Sequence, residues 1–322
     1  MVSEGKRPRP VLTSPSTRSP AHGFCDDEAT RRLLRSRPPE HALQWAGSQL
    51  GGTVRSTHAL RGGMSSAVHL LVVELPSGQT IRVVLRRYVR PELNDEEPDI
   101  AQREQQILQF VEAIEVPTPR LLAVDPTGAD AGAPAVLMSR LSGRVDWWPR
   151  DMDRWLARLA ELLPPIHAVG LPPPGVIRAF APYRQQNYEP PAWARRPKVW
   201  ERAVEIFHRP APAFRPVFIH RDFHPGNVLW QRNAVSGIVD WQAASLGPAS
   251  VDVAHCRANL FGYGIEVADR FTAVWEGITG QSYEPWAEVV GIVGFLDGLR
   301  VDPGSDRFVT EETLARAVAD LG

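Results

Sequence analysis

The sequence predicts an α+β protein of two lobes, a small one built on an antiparallel sheet followed by a larger one that is mostly helical. Three observations carry this. Between Val54 and Tyr88 apolar residues recur at every second position in three runs, the period of half-buried strands. Beyond Gly143 the apolar period becomes helical. Within that helical half one stretch reverts to strands: Val228-Leu229-Trp230, a turn at Arg232-Asn233, then Ile238-Val239, with Asp222 ahead of it and Asp240 at its end.

The elements follow in order. Residues 1–25, rich in Pro, Ser, Arg and Thr, bury too little apolar surface to offset ordering entropy and are expected to form a disordered tail. Its Lys6, Arg7 and Arg9 are too scattered for a nucleic-acid arm. Asp26 or Asp27 caps a short helix through Arg35, and 40–49, with Ala42, Leu43, Trp45 and Ala46, has helical spacing. Strands are expected at 54–60, 68–75 and 80–88, the last two joined by the turn Pro76-Ser77-Gly78. A helix over 100–114 is stopped by Pro117-Thr118-Pro119, and strands at 120–124 and 135–138 complete the small lobe, 26–138. Residues 139–143 are the hinge and 144–322 the helical lobe. Its Pro-rich 171–216 segment is expected to be a helical excursion broken by loops, tied to the core at both ends.

With 322 residues, 43% of them apolar, the chain has enough material for two cores. The formal charge is -1, from 36 basic and 37 acidic side chains, so no global field recruits nucleic acid or a membrane surface. Cys25 and Cys256 are the only cysteines and lack disulfide or zinc spacing, which suits a reducing, cytoplasmic setting. No apolar run approaches bilayer length, and the start of the chain lacks the apolar core of a secretion signal.

The chemistry concentrates in 218–241. His220-Arg221-Asp222 followed five residues later by Asn227 reproduces the spacing H-R-D-x-x-x-x-N of kinase catalytic loops. Phosphoryl transfer leaves a protein little covalent work, only the positioning of two reactants and the offsetting of charge. Asp222 would orient an acceptor hydroxyl and take its proton, while Asn227 and Asp240 offer the amide and carboxylate oxygens that Mg²⁺ prefers. Asp222, His224 and Asn227 beside Pro225-Gly226 are also ordinary turn formers. The strand-turn-strand bounded by carboxylates favours the chemical reading.

A donor site is expected on the small lobe. In Arg61-Gly62-Gly63-Met64-Ser65-Ser66 the glycines Gly62 and Gly63, with Ser65 and Ser66, would bring backbone amides to phosphate oxygens, although a plain hairpin turn has the same look. Arg86 stands on a strand where kinases carry lysine, and Glu104, eighteen residues on, is its expected ionic partner. His167 reads as a packing or hydrogen-bonding residue, and His220 and His224 as braces of the loop. The 10 tryptophans, among them Trp147, Trp148, Trp193, Trp275 and Trp286, read mostly as core, with one or two available to floor an acceptor pocket.

The stretch His220-Arg221-Asp222-Phe223-His224-Pro225-Gly226-Asn227, together with Ile238-Val239-Asp240-Trp241 and Gly247-Pro248-Ala249-Ser250-Val251-Asp252, resembles the signature of the aminoglycoside phosphotransferase and choline kinase-like family, part of the protein kinase-like superfamily. Weaker matches lie at Gly62-Gly63, Leu85-Arg86, Glu104, 138–143 and Ile166-His167, so the likeness spans roughly 45–300. It implies a bilobal protein kinase-like fold and transfer of the γ-phosphoryl group of ATP or GTP to a hydroxyl of a small molecule, with Asp222 catalytic. It also implies purine binding by backbone near Met138 to Arg140, and Mg²⁺ on Asn227 and Asp240. Arg86 departs from the commoner lysine, and Met64-Ser65-Ser66 from the usual phosphate turn. A protein kinase is disfavoured because Trp241-Gln242 replaces Phe-Gly after Asp240, and only eleven residues separate Asp240 from Asp252, leaving no long activation segment. A non-catalytic nucleotide-binding relative would have no chemical need for Asp222, Asn227 and Asp240 together. Charge does not choose the acceptor: 261–322 holds eleven acidic residues against four basic, whereas 171–219 holds eight basic against three acidic.

Overall fold

The computed structural model describes residues 28–60, 65–185, 187–301, 304 and 306–322. Gly62 and Gly63 of the expected phosphate turn, and the expected tail, lie outside them. Two helices lead the chain, α1 (Glu28–Arg35) and α2 (Glu40–Gln49), followed by β1 (Thr53–Ala59), β2 (Ala67–Glu74) and β3 (Thr80–Arg87). Helices α3 (Pro91–Glu96) and α4 (Ile100–Val111) separate these from β4 (Leu121–Asp125) and β5 (Ala135–Ser139). The five strands form one antiparallel sheet in the order β1-β2-β3-β5-β4.

The period of two decides what this sheet presents on each face. Leu71, Val73, Val83, Leu85 and Leu137 pack under Ala42, Leu43, Trp45 and Ala46 of α2. The alternate residues Val84, Val136 and Met138 join the core that continues into the other lobe. Arg86 is in phase with Val84 and carries its charge to the same side. Ile100, Ala101, Glu104, Ile107, Leu108 and Val111 share the buried face of α4, at the three- and four-residue spacing of a helix stripe. A carboxylate thus sits among apolar neighbours opposite that arginine.

The segment 139–143, expected as a hinge, is pinned to the hairpin of residues 228–238 by a glycine. Gly143 has φ +108°, and a Cβ there would fall 2.2 Å from Ser236 Oγ and 2.8 Å from Trp230 O, so only glycine fits. Ser236 Oγ donates to Ser142 O at 2.6 Å, and Arg144 and Trp230 exchange backbone hydrogen bonds of 3.0 and 2.8 Å.

The second lobe contains α5 (Met152–Glu161), α6 (Leu163–His167) and α7 (Pro197–Phe207), then α8 (Ser250–Leu260), α9 (Ile265–Thr279), α10 (Pro285–Val293), α11 (Leu296–Val301) and α12 (Arg307–Asp320). Two small antiparallel pairs interrupt them: β6 (Val217–Ile219) with β9 (Ser245–Gly247), and β7 (Val228–Gln231) with β8 (Ala234–Ile238). Arg232 and Asn233 turn the second hairpin with φ of 50° and 61°, the twist that suits a two-residue connection.

One expectation is narrowed by the structure, and two details lay beyond what the sequence could show. Among its described residues the Pro-rich 171–216 segment forms one helix, α7, with more loop around it than expected, since prolines remove the amides a helix needs, and it is laid on the protein through Phe180 N to Leu246 O, 2.7 Å, and Leu246 N to Arg178 O, 2.9 Å. The β6–β9 pair was not anticipated, because three residues are too few to show a period. Trp275 and Trp286 are core, but Trp148 is 44% exposed.

Candidate active site

The loop between β6 and β7 is held from below by one carboxylate. Asp252, in the first turn of α8 and fully buried, accepts from the amide of His220 at 3.0 Å and that of Arg221 at 2.6 Å, and lies 2.9 Å from His167 Nε2. These bonds hold Arg221 in the left-handed region, φ 68°, a conformation that costs a non-glycine residue on the order of 1 kcal/mol or more. The Arg221 guanidinium donates to Ala181 O at 2.8 Å and lies 4.2 Å over the Tyr183 ring. His220 contacts Val239 O through Nε2 at 3.0 Å, which assigns the ring proton to that nitrogen and leaves Nδ1 to accept from the Asp222 amide at 3.3 Å. His224 Nδ1 accepts from Gly226 N at 3.1 Å, closing the turn Pro225–Asn227, and its ring stacks on Trp147.

Asp222 keeps 37% of its side chain exposed. Asn227 Nδ2 donates to Asp222 Oδ2 at 2.9 Å and to its backbone oxygen at 2.8 Å. His255 Nε2 stands 2.9 Å from Oδ1, and His224 Nε2 3.9 Å from Oδ2. Enclosure by protein would push the carboxyl up, but the His255 hydrogen bond and the neighbouring imidazoles outweigh it and hold Asp222 well below the usual carboxylate range. Burial pushes His224 down to about 4, against the pull of Asp222. His255 was not among the residues expected from the sequence; its only signal is its place three residues after Asp252, on the same face of α8.

Across the cleft a chain of charges joins the lobes. Arg86 lies 3.3 Å from Glu104 Oε1 and 2.7 Å from Asp240 Oδ1, and Tyr88 donates to Glu104 Oε2 at 2.7 Å. Glu104 is raised by burial, which the Arg86 charge only partly offsets. Burial alone would lower Arg86, but Asp240 and Glu104 raise it well above its ordinary value. Asp240 has φ 67°, so the backbone at both ends of the motif is held in a conformation that packing must enforce.

Ser65 and Ser66 stand at the entry of β2, whose Val68 is paired with Arg86. Met138 lies in β5 with its side chain in the core shared by the lobes, and Arg140 is exposed at the start of the hinge. A separate cavity of about 450 Å³, lined by Arg144, Arg150, Arg154, Trp148 and Arg232, contains none of Asp222, Asn227 or Asp240. Side-chain chemistry rather than cavity size marks the site.

One cluster of donor atoms among the described residues has a spacing that a metal could use. Asp222, His224 and His255 have ligand atoms within 4.8 Å of one another, yet the Gly226 amide occupies His224 Nδ1 and puts the ring proton on the Nε2 that would have to ligate. Asn227 spends its Nδ2 on Asp222, which leaves its Oδ1 as an acceptor of the kind a hard cation prefers.

A family model described as "Phosphotransferase enzyme family" matches residues 57–289. No curated protein matches the chain. Among solved structures, a thermostable mutant of aminoglycoside phosphotransferase APH(4)-Ia in complex with AMP-PNP and hygromycin B aligns with a TM-score of 0.59 at 14% identity, over 87% of this chain and 98% of that one. Macrolide 2'-phosphotransferase MphH from Brachybacterium faecium aligns with a TM-score of 0.55 at 14% identity, over 87% and 98%. Aminoglycoside 2'-phosphotransferase-IIIa in its GDP complex aligns with a TM-score of 0.52 at 17% identity, over 84% and 94%. At such identities the likeness speaks for the fold, and the family match, covering most of the chain, settles membership: the protein belongs to the phosphotransferase enzyme family.

Proposed function

We propose that the chain transfers the γ-phosphoryl group of ATP or GTP to a hydroxyl of a small molecule, such as an aminoglycoside-like antibiotic, an amino alcohol or a sugar-like metabolite. The observation that carries this reading is Asp222: a carboxylate kept ionised, gripped at both oxygens and still open to the cleft. So acidic a group is a weak base before the reaction. Its first task is to accept a hydrogen bond from the hydroxyl and point its oxygen at phosphorus; the proton passes to Asp222 only as the oxygen gives up its electrons.

Asn227 Oδ1 and Asp240 would hold Mg²⁺, which neutralises phosphate charge when bound. Arg86, tethered by Glu104, would meet phosphate oxygens with a permanent charge. This charge also lies 2.7 Å from Asp240 Oδ1, so a cation or a phosphate bound there would compete for that contact. Relatives crystallised with AMP-PNP and with GDP support a purine nucleotide as donor. His220 and His224 brace the loop, and backbone from Met138 to Arg140 would receive the purine.

The test is a thermal-shift titration with Mg-ATP and Mg-GTP, followed by a panel of hydroxylated antibiotics and metabolites read by nucleoside diphosphate release. Asp222→Ala should lose about 10³-fold in turnover while its nucleotide-induced shift persists. Wild-type turnover by that variant would remove Asp222 from the mechanism.

A further inference from the structure

Resting on the phosphotransferase reading, we propose that His255 is a positioning residue: through Nε2–H it holds Asp222 Oδ1 and so fixes which edge of the carboxylate meets the acceptor hydroxyl. The terminal torsion of an aspartate is soft and nearly two-fold. Asn227 grips Oδ2 alone, which tethers one oxygen and leaves the plane of the group free to swing. A second donor on the other oxygen removes that freedom.

Both donors are themselves anchored. Asn227 lies in the turn that His224 closes, and its carbonyl accepts from Val239 N at 2.9 Å. His255 rides on α8, where Asp252 one turn earlier accepts the His220 and Arg221 amides. The helix therefore clamps the loop twice, by the backbone through Asp252 and by the reacting side chain through His255. The His255 ring is itself packed against Phe295 and His224, with centroids 6.0 and 5.7 Å away. His224 does not duplicate the role, since its Nε2 stands 3.9 Å from Asp222, beyond a hydrogen bond. Misplacing a reacting group by about 1 Å costs on the order of 100-fold in rate, and that is the scale on which loss of His255 should register.

The experiment uses water as acceptor, so that no substrate need be known: Mg-ATP and Mg-GTP hydrolysis by the full-length protein. H255A should lower kcat by about 30- to 100-fold with the nucleotide KM and Tm nearly unchanged. H255Q, whose amide nitrogen can stand where Nε2 stood, should recover most of that loss. A second readout needs no turnover: in nitrogen-15 imidazole spectra His255 should be protonated at Nε2, with a signal that shifts in Asp222→Ala. Hydrolysis unaffected in H255A, a loss that Gln does not rescue, or an Nε2 signal indifferent to Asp222 each overturns the proposal. The Asp222→Ala control reports separately on the functional reading: if hydrolysis survives it, that reading falls whatever His255 does.

Discussion

The two walls of the cleft are built differently. On the acceptor side, Asp222, Asn227, His255 and Asp252 belong to one lobe and are joined by short hydrogen bonds anchored in the backbone. On the donor side, Arg86 and Glu104 come from one lobe and Asp240 from the other, and the tie is a charge contact of 2.7 Å that a cation or a phosphate could replace. The difference separates two demands of phosphoryl transfer. Under the proposed function the group that aims the hydroxyl has to stay still, whereas the groups that would hold the donor have to release one partner to take another. A buried guanidinium between two carboxylates suits exchange because its charge does not depend on pH.

The largest expected effect comes from breaking the acceptor wall. Asp252→Ala leaves two buried amides and His167 without their acceptor, and each orphaned group costs about 1–3 kcal/mol. Urea unfolding should show a loss of about 3–5 kcal/mol; a change below about 1 kcal/mol would mean that the loop supports itself. On the donor wall, Arg86→Met removes the counter-charge of Glu104, which is 1% exposed. Proton uptake by Glu104, already raised by burial, softens the cost, so about 3 kcal/mol is expected. Arg86→Lys should restore much of the stability while weakening nucleotide affinity through loss of the forked contact. Equal nucleotide affinity in all three proteins, measured by calorimetry, would erase the distinction between the walls.

The smallest effect concerns pH. His224 has its folded pKa depressed to about 4 from 6.5, so between these values the unfolded chain binds more protons and stability rises with pH. The contribution is complete above about pH 6.5 and is lost as pH falls toward 4. Around His224 stand Asp222, His255, His220 and Asp240, with Trp147 stacked on the ring. Asp222, itself depressed, loses its contribution in a more acidic window. His224→Asn keeps an acceptor for the Gly226 amide and should flatten the slope of Tm between pH 4 and 6.5. An unchanged slope would assign the acid sensitivity elsewhere.

Much of this site was legible because its residues are close in sequence: the spacing of His220, Asp222 and Asn227, and the hairpin delivering Asp240, are local patterns with local causes. The pairing of Arg86 with Glu104 was legible only from their order along the chain, since taken singly each reads as a solvated surface charge, and it was the packing of α4 that put Glu104 among buried neighbours. The partnership of Asp222 with His255, and that of Asp252 with the His220 and Arg221 amides, crosses more than thirty residues. A lone histidine on a helix gives no sign of what it faces. The path of 171–216 was equally hidden, since prolines announce where a helix fails but not where the chain goes instead.

By itself the sequence determined the alternation of the sheet, the loop that brings the Asp222 carboxylate and the Asn227 amide together, and the family signature, because each rests on intervals shorter than about one helix or hairpin. Only the tertiary structure decided that α8 would clamp the loop from beneath and that Arg86 would reach across to Asp240. Those contacts depend on how two lobes and a helix come together, and packing of that kind leaves no period in the chain that makes it.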